Sequence, residues 1–437
     1  YTVSIMMKVA KRARTPRDAD RALRVLDQAH GVLACCDEVL FNSVLDACIA
    51  RKDYERLARA LAEYDKSQMR PSVHTYGLLI KACCLLKNFE RCWSLWFAMT
   101  QKRGITPTCI TLSCMLDAII CSGQTDEALE LFKEWKATVP ANTIMYSTLI
   151  KGFASSGRAD RAMDMYKEVQ AEGLQMNLVA YTSLIDAHAR VGKMQEANSI
   201  FKRMEEDGCE PNVITFSALV KGHCLQGDLD EAFRVFSAML DRGLSADTVI
   251  FNTMLDGCVR HSRFELADQL LDDMAKYSVE PSNFTLSIIV KMWGKRRQLD
   301  KAFDAVRSSV RRGRRCVDQQ VGACLLSACF HNQSPARAIE AFEEMKTWRG
   351  CNTLDASTYS SLILGLCRHG ACRPAAEVAG EACDKASGSL GSECLRLLFR
   401  TLQQQGMYED LGEPLVAKLR RAKIPVPDWS APGDEAR

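Results

Sequence analysis

Apolar residues along this chain fall at helical spacing in short runs, and each run is closed by a glycine or a proline. The stretch 178–212 shows this most clearly. Its first half, LVAYTSLIDAHARVGK, sets Tyr181, Leu184, Ile185 and His188 on one helical face before Gly192, a residue suited to a helix C-terminus. Its second half, MQEANSIFKRMEEDGCEPN, sets Ala197, Ile200, Phe201 and Met204 on one stripe before Gly208 and Pro211 break it. The pattern predicts two helices per stretch.

The same beat runs through most of the chain. Ala128, Ala162, Ala197, Ala232, Ala267, Ala302 and Ala338 recur every 34 to 36 residues. Four residues after each comes a large apolar side chain: Phe132, Tyr166, Phe201, Phe236, Leu271, Val306 and Phe342. Gly123, Gly157, Gly192 and Gly227 stand five residues before theirs. A unit this short cannot bury both helices by itself, so neighbours must stack. The expected fold is therefore all-α, a right-handed superhelical solenoid of about eleven helix-turn-helix repeats. Nine are expected over 38–355, beginning at 38, 73, 109, 143, 178, 213, 248, 283 and 319. Two degenerate or capping repeats follow over 356–428, a partial repeat with an insertion precedes them over 1–37, and a disordered tail is expected at 429–437.

Composition changes this picture little. With 57 Lys and Arg against 54 Asp and Glu, the formal charge of +3 neither demands nor excludes a nucleic acid, because a solenoid can be basic along one groove only. The 20 cysteines raise disulfides or zinc, but no Cys-x-x-Cys pair occurs. Cysteines fall at recurring helix positions instead. Cys48, Cys83, Cys258 and Cys329 are each the eleventh residue of a unit, which reads as a small buried apolar residue in a reducing compartment. No apolar run long enough for a transmembrane helix is present. Tyr1 is not a start methionine and sits inside a repeat, so the chain is expected to be a fragment or processed form without its targeting sequence.

At full length, 178–212 and 213–247 resemble the pentatricopeptide repeat family, whose 35-residue beat and terminal Pro-Asn or Ala-Asp they share. The resemblance implies a binder of single-stranded RNA that presents one base to each repeat. In the family, the fifth and last residues of a repeat read the base, and a branched aliphatic second residue packs on its face. Carried onto this chain, the implied base-reading pairs are Asn42/Ser72, Ser113/Asn142, Ser147/Asn177, Thr182/Asn212, Ser217/Asp247, Asn252/Ser282 and Ser287/Asp318. Ser4/Asp37 would complete the set at the N-terminal end, whereas Gly77/Thr108 and Ala323/Asp355 depart from the usual pairs. The implied stacking residues are Val39, Ile110, Ile144, Val179, Ile214 and Val249, with His74 and Phe284 as exceptions. The family's pairings imply a preferred RNA of G-C-n-A-A-A-G-C-G-n, centred on A-A-A-G-C. They also imply work in a plastid or mitochondrion, in transcript stabilisation, processing or translation.

Basic residues recur at the thirteenth place, among them Arg12, Arg190, Arg260, Lys295 and Arg368, on one helix face where phosphates could run. Arg311, Arg312, Arg314 and Arg315 form a denser cluster suited to phosphate or an acidic partner. Signals for catalysis fail. GFASSGR at 152–158 lacks the lysine of a phosphate-binding loop and closes a helix, and the histidines have no metal-ligand spacing. No enzyme, cofactor, metal or small-molecule substrate is expected. Two other readings stay open: a protein-binding scaffold in an organellar ribosome or other large assembly, and a non-catalytic specificity subunit of an RNA-processing enzyme.

Overall fold

The computed structural model describes residues 38–67, 69–311, 317–348, 354–385, 390–422 and 424–426. The expected partial repeat, the Ser4/Asp37 pair, Arg12, Arg312, Arg314, Arg315 and the tail lie outside the described residues.

Among the described residues every regular element is a helix. Contacts gather the chain into two units, Tyr1–Gly222 and His223–Arg437. The first holds α1 (Glu38–Arg51), α2 (Tyr54–Lys66), α3 (Val73–Leu85), α4 (Phe89–Phe97), α5 (Cys109–Cys121) and α6 (Thr125–Trp135). It continues with α7 (Thr143–Ser155), α8 (Ala159–Ala171), α9 (Leu178–Arg190) and α10 (Met194–Glu206), and the division falls inside α11 (Val213–Gln226). The second holds α12 (Leu229–Asp241), α13 (Thr248–Arg260), α14 (Phe264–Lys276), α15 (Asn283–Lys295) and α16 (Leu299–Arg311). After these come α17 (Gln319–His331), α18 (Pro335–Met345), α19 (Ala356–Arg368), α20 (Cys372–Lys385), α21 (Ser392–Gln404) and α22 (Glu413–Arg421). Each unit is a stack of helix pairs.

The periodic residues explain the stack. All seven alanines of the beat, from Ala128 to Ala338, are completely buried, so each second helix lies close on its partner without a side chain between them. The large residue four places later reaches the next repeat. Phe132 meets Tyr146 edge-on at 5.1 Å, Tyr166 meets Tyr181 at 6.0 Å, Phe201 meets Phe216 at 5.5 Å, and Phe236 meets Phe251 at 5.5 Å. Phe342 and Tyr359 repeat the contact at 5.3 Å. Such pairs add about 0.5–1.5 kcal/mol beyond the area they bury, and they make the join between repeats directional. Cys48, Cys83, Cys258 and Cys329 are fully buried at the eleventh place, as their spacing suggests.

The turn inside each pair uses left-handed backbone. Gly123, Gly157, Gly227 and Gly370 adopt φ between +71° and +88° at the fifteenth place of their repeats. Lys52, Lys87, Ser262, Arg297 and Gln333 occupy the same place in other repeats with φ of +55° to +59°. Glycine alone therefore under-reports this turn in the sequence. A side chain there costs about 1–2 kcal/mol, which the surrounding pair absorbs.

Candidate nucleic-acid interface

An exposed stripe of branched apolar side chains runs along the helix starts of each unit. Val39, Ile110, Ile144, Val179, Ile214 and Val249 are 53–66% exposed, and Phe284 is 65% exposed. Each is the second residue of a first helix whose next face is entirely buried, as Tyr146, Leu149 and Ile150 are in α7. A regular row of exposed aliphatics is unfavourable in water unless something covers it. Flat aromatic rings, such as bases, suit it.

Beside this row stand the helix caps. The last residue of a repeat is the N-cap of the next first helix. Asn142 accepts from the Met145 amide at 3.0 Å, Asn177 from Ala180 at 2.9 Å, Asn212 from Thr215 at 3.0 Å and Asp247 from Ile250 at 3.0 Å. Ser72, Thr108, Ser282, Asp318 and Asp355 cap in the same way. Capping consumes one oxygen. It leaves the Nδ2 donors on the asparagines and a second carboxylate oxygen on Asp247, both at the open end of a helix.

Each fifth residue sits near the following cap to a different degree. Ser147 donates to Asn177 Oδ1 at 3.0 Å, and Asn252 Nδ2 donates to Ser282 Oγ at 3.3 Å. Three pairs are joined through a threonine. Thr285 joins Asn252 and Ser282: it donates to Asn252 Oδ1 at 2.7 Å and lies 3.1 Å from Ser282 Oγ. The Thr75 hydroxyl lies 2.9 Å from Asn42 Oδ1 and 3.3 Å from Ser72 Oγ. Thr215 lies 2.8 Å from Thr182 and donates to Asn212 Oδ1 at 3.1 Å. Ser113 and Ser217 instead donate back along their own helices, to Cys109 and Val213 carbonyls at 2.7 Å each. Ser287 is only 4% exposed, while Asp318 holds the Val321 amide at 3.1 Å and the Asn283 side chain. The bridging threonines escape a reading confined to fifth and last residues. Their signal is in the sequence: Thr75, Thr111, Thr215, Thr285 and Thr358 are all third residues and all buried.

Arg190, Arg260 and Lys295 are already engaged. Arg190 pairs with Asp186 at 2.5 Å and Arg260 with Asp256 at 2.6 Å, each one turn away on its own helix. Exposed pairs of this kind hold by about 0.3–0.5 kcal/mol, so a phosphate can displace the carboxylate. Lys295 donates to the Val259 and Arg260 carbonyls at the end of α13, at 2.9 and 3.3 Å. Arg260, Lys295, Lys291 and His331 line one hollow of about 310 Å³, which Asp256 also borders. Lys291 belongs to a pattern visible in the sequence: ninth residues alternate as Asp46, Lys81, Asp117, Lys151, Asp186, Lys221, Asp256 and Lys291.

Comparison with known families decides what this arrangement is. Models described as pentatricopeptide repeat domain, PPR repeat family and PPR repeat match residues 36–84 and 164–224, 246–295, and 74–103, 110–137, 144–174, 214–244 and 357–379 respectively. The chain belongs to the pentatricopeptide repeat family. Two pentatricopeptide repeat-containing proteins of Arabidopsis thaliana, both named as chloroplastic, are 29% identical over 116 residues and 26% identical over 101 residues. These matches take in 26% and 23% of this chain but only 15% and 10% of those proteins. Among solved structures, the maize protein PPR10 is 18% identical with a TM-score of 0.49, covering 98% of this chain and 69% of that one. Yeast Rmd9p in complex with a 16-nucleotide target RNA is 12% identical with a TM-score of 0.48, covering 98% of both chains.

Within this pentatricopeptide array, one group of cysteines departs from the buried eleventh-place pattern. Cys121 is exposed, Cys84 and Cys114 are half-buried, and the Cys84 and Cys121 sulfurs lie with an Asp117 oxygen within 4.8 Å of one another. Burial, then the neighbouring Cys121 and Asp117, push the Cys84 thiol up to about 12. Three histidines serve the repeats themselves. His188 contacts the Leu184 carbonyl at 2.8 Å, His261 contacts the Cys224 carbonyl at 3.0 Å, and His369 stacks on Phe330. No helix among the described residues is long and apolar enough to cross a membrane.

Proposed function

We propose that this chain binds single-stranded RNA with one base per repeat, preferring A-A-A-G-C along the repeats 109–282. The observation that carries this reading is the exposed stripe Val39, Ile110, Ile144, Val179, Ile214 and Val249 standing beside caps with one polar atom left over. A base laid on the aliphatic residue turns its Watson–Crick edge toward that atom. The free Nδ2 of Asn142, Asn177 or Asn212 donates to the ring nitrogen that adenine leaves unprotonated, whereas the free oxygen of Asp247 accepts the imino N–H of guanine. Stacking contributes on the order of 1–3 kcal/mol per base, so five consecutive repeats suffice for useful affinity after the RNA is ordered.

Phosphates run past Arg190, Arg260 and Lys295, with Lys81, Lys151, Lys221 and Lys291 adding charge at alternate repeats. The role is non-catalytic: a solenoid seated on a transcript blocks exonucleases or inhibitory pairing, and so acts in organelle transcript stabilisation, processing or translation. The chloroplastic names of the two Arabidopsis relatives support an organellar setting, plastid or mitochondrion.

Gel-shift titration of the 437-residue chain with an A-A-A-G-C oligonucleotide and a scrambled control tests the reading. Tighter binding to A-A-A-G-C is expected. Equal binding to both would refute base reading, and binding to neither would favour the protein-scaffold reading. The double substitution Asn177→Asp and Asn212→Asp should move preference from adenine toward guanine at two adjacent bases.

A further inference from the structure

The second helices α4 and α6 carry a surface that the RNA reading does not use. They enclose a groove of about 740 Å³, within the size range of sites that bury ligand side chains. Its floor is aromatic. Trp93 stacks on Phe97 at 5.8 Å, and Trp96 meets Trp135 edge-on at 5.9 Å. Phe97 is 48% exposed, and the buried Trp135 indole N–H has no acceptor among the described residues. Its rim is acidic. Asp126, Glu130 and Glu134 follow one another at successive turns of α6, with Glu127 beside them, and among the described residues no lysine or arginine lines the groove.

Like charges one turn apart repel, and this stripe is only partly relieved. Arg158 holds Asp126 at 2.9 Å, and Gln124 donates to Glu127 at 2.7 Å. Among the described residues, the exposed carboxylates of Glu130 and Glu134 have no ion-pair partner. The groove also sits where α4 loosens into a π-helical turn, Ala98–Lys102, which contributes Thr100 and Gln101 to the wall. Single π-turns of this kind absorb an inserted residue and are frequent at functional sites. The repeat 73–108 is one residue longer than the 35-residue beat.

We propose that this groove is a docking site for an arginine-rich peptide segment of a partner protein. The guanidinium group suits both surfaces at once. Its flat face stacks on an indole, and its fork engages a carboxylate with two parallel hydrogen bonds. Lysine satisfies only the charge. The groove opposes a nucleic-acid strand, since its phosphates would meet four carboxylates. The groove is borne by second helices and the base-reading residues by first helices, so the chain can hold a transcript and a basic partner together. The inference goes beyond RNA binding and does not depend on it.

The test uses the full chain and a labelled peptide of alternating arginine and serine, followed by anisotropy and by tryptophan emission, since three of the six tryptophans line the groove. Saturable binding with a tryptophan response is expected, with the matching lysine–serine peptide binding several-fold more weakly. Glu130→Gln with Glu134→Gln should weaken the arginine peptide at least tenfold, and Trp93→Leu should remove much of the preference for arginine over lysine. Affinity for A-A-A-G-C should stay unchanged in both variants. The proposal is overturned if the double glutamine variant binds the peptide as tightly as the parent, or if no saturable binding occurs. Loss of RNA binding in that variant would likewise overturn it, by assigning the groove to RNA. Failure of the parent chain to bind RNA leaves the peptide result intact and bears only on the RNA reading.

Discussion

The repeats 73–108 and 143–177 lie in the same unit and are built on one frame. Both open with a 13-residue first helix capped by a side chain from the preceding repeat, Ser72 or Asn142. Both bury their fourth residue, Tyr76 or Tyr146, and their eleventh, Cys83 or Phe153. Both turn through left-handed backbone, at Lys87 and Gly157. They differ where the frame does not constrain them. Repeat 143–177 presents Ile144 at 61% exposure and joins Ser147 to Asn177 at 3.0 Å. Repeat 73–108 has His74, Gly77 and Thr108 at those places, and its distinctive chemistry lies on its second helix, in Trp93, Trp96 and Phe97. Two repeats of one fold can thus face different ligands, because stacking occupies only some faces of each helix pair.

The largest effect should come from breaking the shared frame. Phe132→Ala removes a side chain that is 1% exposed and packs edge-on against Tyr146, at a cost of about 3–5 kcal/mol. Thermal denaturation should show a lower Tm, with RNA and peptide binding falling together. A loss of one without the other would mean that the two repeats do not share a framework.

A smaller effect separates frame from ligand surface. Ile144→Ala with Val179→Ala should weaken A-A-A-G-C by up to about 1–3 kcal/mol per base, at an unchanged Tm, because these side chains are 61% and 53% exposed. His74→Ala should change RNA affinity far less. An equal loss from His74→Ala would erase the contrast between the repeats.

The contrast can also be reduced by making the silent repeat a reader. A Cβ built on Gly77 would meet Thr111 Oγ1 at 3.4 Å, an ordinary contact, so serine fits there. Gly77→Ser with Thr108→Asn should create an adenine preference at the base immediately 5′ of A-A-A-G-C. Competition between four oligonucleotides differing only at that base measures it. The helix-interior glycine replacement should also raise stability by about 0.5 kcal/mol.

The smallest effect concerns the eleventh place, where His223 stands in the position filled by Cys83 and Phe153 in the two repeats compared. His223 is 3% exposed, neither ring nitrogen has a hydrogen-bond partner among the described residues, and burial holds its pKa below the ordinary value despite Asp228 at 3.8 Å. A base whose folded pKa is depressed favours the native state while neutral. That contribution is complete above about pH 6.5 and is lost as pH falls below it toward the folded value. Melting curves between pH 7 and 5 should show a small acid loss of Tm that His223→Leu reduces. An unchanged acid loss in that variant would place the titrating group elsewhere.

Much of the fold was legible from local signals. The alanine beat marks where helices touch, and the glycines mark some of the turns. Five left-handed positions held by Lys52, Lys87, Ser262, Arg297 and Gln333 were not legible, because nothing in those side chains favours that backbone. The candidate site was legible as a set of positions but not as a set of contacts. Thr75 and Thr215 bridge fifth residues to caps, and Lys295 commits two of its three ammonium donors to the end of α13. The groove on α4 and α6 was invisible, since its aromatic residues read as ordinary apolar helix positions.

What the sequence determined by itself is the repeat: its length, its two helices, its caps and the place of each side chain along them. These follow from interactions within a turn or two of backbone, which every copy makes anew. The tertiary structure decided which polar atoms remain free and which apolar faces remain open. Those outcomes depend on partners about one repeat away, such as Ser147 with Asn177, Thr182 with Thr215 and Trp96 with Trp135. A hydrogen bond or a stacked ring is satisfied by geometry across the join between repeats, and that geometry exists only once the repeats have packed.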